Sequence, residues 1–215
     1  MSGPGDGGPD ASAVPPRIAP RAVPRVAAIV LAGGRSRRFG SDKLAAVIDG
    51  ATLLERAVAA AASVADEVVV VLPPEGGSAP APARIVRDPA PDGGPLVGLL
   101  AGLRAVDAPV AIVVAGDMPW LAPPVLAALV AALDGDAAVL EERAEASGIA
   151  RLPFAIGVDA GRAAAAALLE RDERRLGRLL DRLVASVVAE ATWRPLDPGG
   201  RTTRDVDEPG DLAPD

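Results

Sequence analysis

The sequence predicts a single α/β domain built on a doubly wound, mostly parallel β-sheet. Several segments are apolar at every position, which is typical of strands that helices cover on both faces. Segments with helical spacing alternate with these strands, and right-handed β-α-β crossovers then place successive strands parallel. The length of 215 residues suits one domain of this kind.

The first predicted strand, Val26–Leu31, leads directly into Gly33 and Gly34. Glycines at a strand end allow a sharp turn and bring backbone N–H groups close to a ligand. Four cations follow within a few residues, namely Arg35, Arg37, Arg38 and Lys43. Glycines beside cations indicate a polyphosphate-binding loop, although a glycine pair is also common in ordinary turns. The loop matches neither G-x-x-x-x-G-K-[ST] nor G-x-G-x-x-G, which disfavours P-loop NTPases and dinucleotide-binding oxidoreductases.

The other elements follow in order. Thr52, with Glu55 three residues later, forms a capping box that starts a helix predicted over 51–63. The next predicted elements are strands over 67–72 and 84–87, a helix over 96–106, a strand over 109–115, a helix over 123–133 and a strand over 137–140. A strand over 152–158 and helices over 160–170 and 174–184 complete the prediction. Leucines in the last helix have the spacing of a core or interface stripe: Leu176, Leu179, Leu180 and Leu183.

The composition excludes several classes of chemistry. The chain has no Cys, His or Tyr, which rules out thiolate, imidazole and phenol catalysis and nearly all zinc sites. The remaining carboxylates, cations and backbone dipoles suit Mg²⁺-assisted phosphoryl or nucleotidyl transfer, in which positioning and charge neutralisation supply most of the catalysis. The formal net charge of −7 argues against nucleic-acid binding.

Residues 1–24 are rich in Gly, Pro and Ala and lack the pattern of a secretion signal. We therefore expect a disordered tail there and a folded domain over 25–213. The apolar runs are short and interrupted, so we expect no membrane span. Since no signal peptide is recognised, we expect a cytoplasmic location.

Three predicted strands end in glycine or acidic clusters, at Gly33–Gly34, Asp88 and Gly116–Asp117. Ligands of open α/β sheets bind at the carboxyl ends of the strands, so we expect these clusters to line one crevice. There Asp117 could ligate Mg²⁺ and Lys43 could neutralise a departing pyrophosphate. Simpler alternatives are a helix cap for Asp117, a turn former for Asp88 and a solvated surface lysine for Lys43.

Four segments carry motifs of one known family. L-A-G-G-R-S-R-R-F-G-S-D-K over 31–43 resembles the signature L-A-G-G-x-S-x-R-M-G-x-D-K. G-P-L-V-G over 94–98, G-D-M-P over 116–119 and D-V-D-E-P-G-D-L over 205–212 resemble the same family's G-P-L-x-G, metal and closing motifs. The chain thus resembles the MobA-like NTP transferases, in particular the molybdenum cofactor guanylyltransferases. The resemblance implies a Rossmann-like fold of the nucleotide-diphospho-sugar transferase type.

The resemblance also implies a reaction, substrates and site residues. In the family, the terminal phosphate of molybdopterin attacks the α-phosphorus of GTP, pyrophosphate leaves and the guanine dinucleotide cofactor forms. The implied cofactor is Mg²⁺, bound by Asp117 with Asp207 as a further candidate ligand, and the implied catalytic residues are Lys43, Arg38 and Asp117. GTP contacts are implied for Leu31, Ala32, Gly33, Gly34, Lys43, Asp88, Pro95, Leu96, Gly98 and Asp117.

Two alternatives to this function stay open. One is a related nucleotidyltransferase that uses CTP or acts on a sugar phosphate, and the other is a catalytically silent nucleotide-binding homologue. The presence of both Lys43 and Asp117 argues against the silent homologue. Expected partners are GTP and molybdopterin as substrates and, beyond them, other cofactor-biosynthesis proteins or molybdoenzymes, with no nucleic acid and no membrane.

Overall fold

The computed structural model describes residues 24–33, 43–90, 93–142 and 149–212, with the backbone alone at 149–151. The predicted tail over 1–24 lies outside the described residues except for Pro24. Gly34, Arg35, Arg37 and Arg38 of the predicted phosphate loop also lie outside them.

The main sheet has seven strands within the described residues, in the order β5-β4-β1-β6-β8-β7-β9. They are β1 (Val26–Leu31), β4 (Glu67–Leu72), β5 (Arg84–Arg87), β6 (Val110–Ala115), β7 (Ala137–Glu141), β8 (Ile149–Gly157) and β9 (Ala185–Val188). A separate small hairpin contains β2 (Val47–Ile48) and β3 (Ala51–Thr52). Within the described part of the main sheet, only β8 runs antiparallel to its neighbours, β6 and β7. The predicted mostly parallel sheet is therefore confirmed.

Helices cover both faces of this sheet. They are α1 (Leu53–Ala62), α2 (Pro95–Ala105), α3 (Pro123–Ala131), α4 (Val158–Leu169), α5 (Leu176–Leu180) and α6 (Glu190–Trp193). Helices α1 and α3 pack on one face, whereas α2 and α4 pack on the other. None of the helices in the described ranges is long and apolar enough to cross a membrane.

The two-sided covering explains why the first strand is apolar throughout. Ala27 and Ile29 point into the cluster beneath α2, and Ala28 and Val30 point into the cluster beneath α1. All four side chains are fully buried. Because alternate residues of a strand face opposite sides, a strand covered on both sides has no position left for a polar side chain.

The first helix begins where the capping box predicts. The N–H of Glu55 donates to Thr52 Oγ1 at 3.1 Å, and the N–H of Thr52 donates to Glu55 Oε2 at 2.7 Å. These two bonds satisfy backbone donors that the first turn of a helix leaves unpaired. Helix α1 starts at the next residue, Leu53.

The region after α4 differs from its prediction. The helix predicted over 174–184 is wrong in length, because only Leu176–Leu180 is α-helical and the chain then turns into the unpredicted strand β9. Leu176 and Leu179 are buried in the core beneath α2, which confirms that the leucine spacing marks a core stripe. The hairpin of β2 and β3 was also missed, because two residues per strand are too few to show a pattern.

Candidate active site

The carboxyl ends of the parallel strands form the edge on which the candidate site lies. Ala32 N–H donates to Val71 O at 2.9 Å, and Gly116 N–H donates to Leu31 O at 2.8 Å. The N–H of Asp88 donates to Leu72 O at 2.8 Å. These bonds hold the residues that follow β1, β5 and β6 along a single edge of the sheet.

Lys43 lies at the centre of this edge. Its Nζ is 2.8 Å from Asp117 Oδ2 and 3.1 Å from Asp207 Oδ1, and the residue is only 8% exposed. Burial alone would lower the pKa of Lys43, but the hydrogen bonds and negative charges of the two aspartates outweigh it and raise the pKa above its usual value. Lys43 is therefore a buried, charged residue and not a solvated surface lysine.

Asp117 has two carboxylate oxygens in different surroundings. Oδ2 pairs with Lys43, whereas Oδ1 is shielded from solvent and has no hydrogen-bond partner among the described residues. An unpaired buried carboxylate oxygen is costly, so it marks a place where a cation or a donor fits. The helix-cap alternative is wrong, because the N-cap of the following helix α3 is Ala122.

The segment after residue 200 closes the other side of Lys43. Val206 is buried and its N–H donates to the carbonyl of Asp117 at 3.0 Å. The next residue, Asp207, pairs with Lys43, and its own N–H donates to Asp211 Oδ2 at 2.8 Å. Partial burial, together with the charges of Asp207 and Asp117, raises the pKa of Asp205. Among the described residues, three aspartates thus lie around one buried ammonium.

The carboxylates beside Lys43 could hold a divalent cation only together with oxygen atoms of a bound substrate or water. No group of three or more His, Cys, Asp or Glu within the described ranges could hold a metal ion by itself. Mg²⁺ is commonly bound by one or two carboxylates together with substrate phosphates and water. The unpaired Oδ1 of Asp117 matches that mode of binding.

Asp88 lies beside the beginning of α2. Its Oδ1 accepts a hydrogen bond from Ala90 N–H at 3.0 Å, which forms an Asx turn. Its Oδ2 would lie 3.4 Å from a Cβ atom at Gly98, so α2 and Asp88 are in close contact. Asp88 is thus a turn former that also lies next to the helix whose sequence resembles the family's G-P-L-x-G motif.

The N-terminus of α2 is open to ligands at some positions and occupied at others. Gly94 has a φ of 84°, which favours glycine, and Pro95 is exposed at the first helical position. Leu96 is fully buried in the core, and its N–H donates to Arg174 O at 3.3 Å. Leu96 can therefore fix the first turn of α2 but offers no free side chain to a nucleotide.

The glycine turn after β1 is partly described. Leu31 is half-buried and Ala32 is buried, whereas Gly33 is exposed and has open space at the position of a Cβ atom. Gly34 and Arg38, for which nucleotide and phosphate contacts are expected, lie outside the described residues. The described part of the turn thus leaves room for a ligand above the end of β1.

Sequence reasoning missed two groups of residues around the edge. Arg174 donates from Nη1 to Gly93 O at 3.3 Å and so joins the turn after α4 to the start of α2. Trp120 has Arg201 and Arg204 over its ring, at 4.8 and 5.9 Å from the centroid. Both contacts join residues about 80 positions apart in sequence, and no local sequence pattern predicts them.

An open, mostly parallel sheet with a glycine turn, a buried lysine and an aspartate at its carboxyl edge defines a nucleotide-binding α/β protein of the nucleotidyltransferase type. A model of the MobA-like NTP transferase domain matches residues 28–187. The probable molybdenum cofactor guanylyltransferase of Chloroflexus aggregans is 35% identical over 188 residues, which cover 86% of this chain and 90% of that protein. The chain belongs to the MobA-like NTP transferase family.

Two further comparisons concern a second relative and a solved structure. The molybdenum cofactor guanylyltransferase of Burkholderia cenocepacia is 39% identical over 130 residues, 54% of this chain and 60% of that protein. The crystal structure of molybdopterin-guanine dinucleotide biosynthesis protein A from Archaeoglobus fulgidus has a TM-score of 0.69 at 21% identity, over 86% of this chain and 94% of that chain. The structural likeness confirms the predicted fold type.

Proposed function

We propose that the protein transfers GMP from GTP to the terminal phosphate of molybdopterin and releases pyrophosphate. The observation that carries this proposal is the buried ion pair of Lys43 with Asp117, whose second oxygen has no partner in the described structure. The pair lies at the edge where open α/β sheets bind ligands. The names of the relatives supply the choice of guanine nucleotide and of the acceptor.

The donor nucleotide would occupy the edge from β1 to β5. Proposed contacts are Leu31, Ala32, Gly33, Gly34, Lys43, Asp88, Pro95, Leu96, Gly98 and Asp117, with Arg38 facing the phosphates. The exposed Gly33 has open space beside it, and the N-terminus of α2 offers the positive end of a helix, so both are suited to phosphate and ribose groups. Leu96 would contribute by holding α2 against the sheet.

The reaction requires charge neutralisation more than proton transfer. An oxygen of the acceptor phosphate forms a bond to the α-phosphorus as the bond from that phosphorus to the bridging oxygen breaks, and pyrophosphate leaves with the electron pair. The attacking phosphate is already an anion and needs no protein base to deprotonate it. The reaction is therefore compatible with a chain that has no histidine. The Lys43 ammonium, kept charged by its aspartates, would stabilise the negative charge on the leaving pyrophosphate.

A divalent cation would be held by Asp117, with Asp207 as the further candidate ligand. We propose Mg²⁺, which would neutralise triphosphate charge and align the phosphates. The unpaired Oδ1 of Asp117 supports this role. Contacts with other cofactor-biosynthesis proteins or molybdoenzymes, and a cytoplasmic location, stay predictions.

Pyrophosphate release tests the proposal. Purified protein is incubated with Mg²⁺ and each of the four NTPs in turn, with and without molybdopterin, and we expect release only with GTP and molybdopterin together. Release with CTP and not with GTP would overturn the assignment of GTP as the nucleotide donor. Nucleotide binding without release from any pair would favour the silent homologue, and release with a sugar phosphate in place of molybdopterin would overturn the acceptor.

A further inference from the structure

Two arginines lie over one indole ring next to the proposed active site. The Cζ atoms of Arg201 and Arg204 lie 4.8 and 5.9 Å from the centroid of the Trp120 ring. Trp120 follows the proposed metal ligand Asp117 by three residues. Trp120 and Arg201 are both half-buried, so this group is part of the folded surface around the site.

A fixed turn holds the two arginines in place. The N–H of Arg204 donates to the carbonyl of Arg201 at 3.0 Å, which closes a turn around Thr202 and Thr203. Thr202 is fully buried and its N–H donates to Asp197 Oδ2 at 2.7 Å. The two guanidinium groups are thus presented by a backbone that is anchored independently of any ligand.

The turn also binds to the loop that carries Asp117. Ala122 N–H donates to Thr202 Oγ1 at 3.0 Å, and Val206 N–H donates to Asp117 O at 3.0 Å. On its far side, Thr203 Oγ1 is 2.9 Å from an oxygen of Glu142, which follows β7. The arginines therefore lie on the β6 to β7 side of Asp117, whereas Gly33, Asp88 and α2 lie on the β1 to β5 side.

We propose that Arg201 and Arg204, supported by Trp120, bind the phosphate of the acceptor substrate. This inference rests on the proposed function, in which an acceptor phosphate attacks the α-phosphorus. An attacking oxygen approaches opposite to the leaving group. If the triphosphate lies over β1 to β5, the acceptor phosphate comes from the side of Asp117 where these arginines lie.

The chemistry of stacked arginines favours this role. A guanidinium that packs its face on an aromatic ring keeps its N–H edge available, and that edge matches two phosphate oxygens. Within the described residues, no carboxylate lies within 4.0 Å of the Arg201 guanidinium in an ion pair.

The double variant Arg201→Gln/Arg204→Gln tests the inference in the full-length protein. We expect the KM for molybdopterin to rise by about tenfold or more, since two charge-assisted contacts are lost, and the KM for GTP to stay within about twofold. The matched control is Arg104→Gln, which removes an exposed charge at the far end of α2 and should leave both constants unchanged. Arg201→Lys/Arg204→Lys keeps the charges without the planar fork and should recover part of the loss.

Binding of molybdopterin alone, measured by calorimetry, separates the two proposals. If the wild type releases pyrophosphate and the double variant shows an unchanged KM for molybdopterin, or a raised KM for GTP instead, the inference is wrong and the proposed function stands. If the wild type releases no pyrophosphate, the proposed function fails, and weaker molybdopterin binding in the double variant than in Arg104→Gln still supports the phosphate site. Equal binding by the two variants would overturn it.

Discussion

The two oxygens of Asp117 show how much of the site depends on a single side chain. One oxygen holds Lys43 at 2.8 Å, and the other is buried without a partner in the described structure. The backbone of the same residue accepts the N–H of Val206 and so anchors the C-terminal segment. A change confined to the carboxylate therefore separates catalytic from structural roles.

Replacing Asp117 with Asn should abolish turnover while the fold persists. The amide keeps the size of the side chain but removes the charge that would hold a divalent cation and pair with Lys43, so we expect kcat to fall by about 100-fold or more. Pyrophosphate release measures activity, and circular dichroism with thermal unfolding measures the fold. Asp107→Asn, an exposed change just before β6, is the control. Undiminished activity in the Asp117→Asn protein would rule out the metal-ligand role.

At the scale of elements, the distance between α2 and the sheet depends on one glycine. A Cβ atom at Gly102 would lie 2.6 Å from Ile29 Cγ2 and 3.1 Å from Val71 Cγ2. Both neighbours belong to the central strands β1 and β4 and are buried. Since the N-terminus of α2 belongs to the proposed nucleotide site, this close packing also fixes the position of the site.

Gly102→Ala should lower the free energy of unfolding by about 1 to 3 kcal/mol, because the added methyl overpacks the core. Gly177→Ala is the matched control, since a Cβ atom there meets nothing within 4 Å and alanine is the better helix former. We expect the control to be about 0.5 to 1 kcal/mol more stable than the wild type. Urea denaturation of both variants measures the difference, and equal stability of the two would contradict the close packing of α2.

The turn between α4 and α5 contains a carboxylate, Glu173, that is hydrogen-bonded to Arg174 and Arg175. The hydrogen bonds and charge of Arg175, with a backbone bond from Arg174, lower the pKa of Glu173 from 4.5 to about 2. A lowered folded pKa gives stability that is present above the unfolded pKa and is lost as the pH falls toward the folded pKa. This turn matters to the site, because Arg174 contacts Gly93 at the start of α2.

Glu173→Gln should therefore destabilise the protein at neutral pH and less so in acid. The difference in thermal unfolding temperature between wild type and variant is expected to narrow as the pH falls from about 5 to about 3. Over this range the Glu173 carboxylate of the unfolded chain becomes protonated, so the stabilisation that its ionised form gives to the folded state decreases. Glu75→Gln, an exposed change in the loop after β4, serves as the control and should show no gap. A gap for Glu173→Gln that stays constant with pH would contradict the role of the carboxylate charge.

For the whole molecule, local patterns determine most of the elements, and long-range contacts determine the site. The all-apolar strands and the Thr52–Glu55 capping box follow from adjacent residues, and the structure confirms them. The bond from Lys43 to Asp207 joins residues 164 positions apart, so the sequence could nominate both residues but not their pairing. Strand β9 was missed for the same reason, since its four residues gain their strand form by pairing with β7.

The proposed acceptor side of the site was the least predictable part. Nothing near Trp120 in sequence indicates that Arg201 and Arg204 would pack on its ring. The turn that presents them is fixed by Thr202, whose bonds reach Asp197 and Ala122. Such a group forms only when the C-terminal segment has folded back onto the end of β6.

Transfer of an α-phosphate label tests the central claim most directly. Wild-type protein, Mg²⁺ and molybdopterin are incubated with GTP labelled at the α-phosphate or, in parallel, at the γ-phosphate. The proposed reaction predicts that the α label appears in a guanine dinucleotide of the cofactor and the γ label in pyrophosphate. An α label that stays in GTP, or is released as free GMP with no dinucleotide formed, would contradict the claim that this site transfers GMP to molybdopterin.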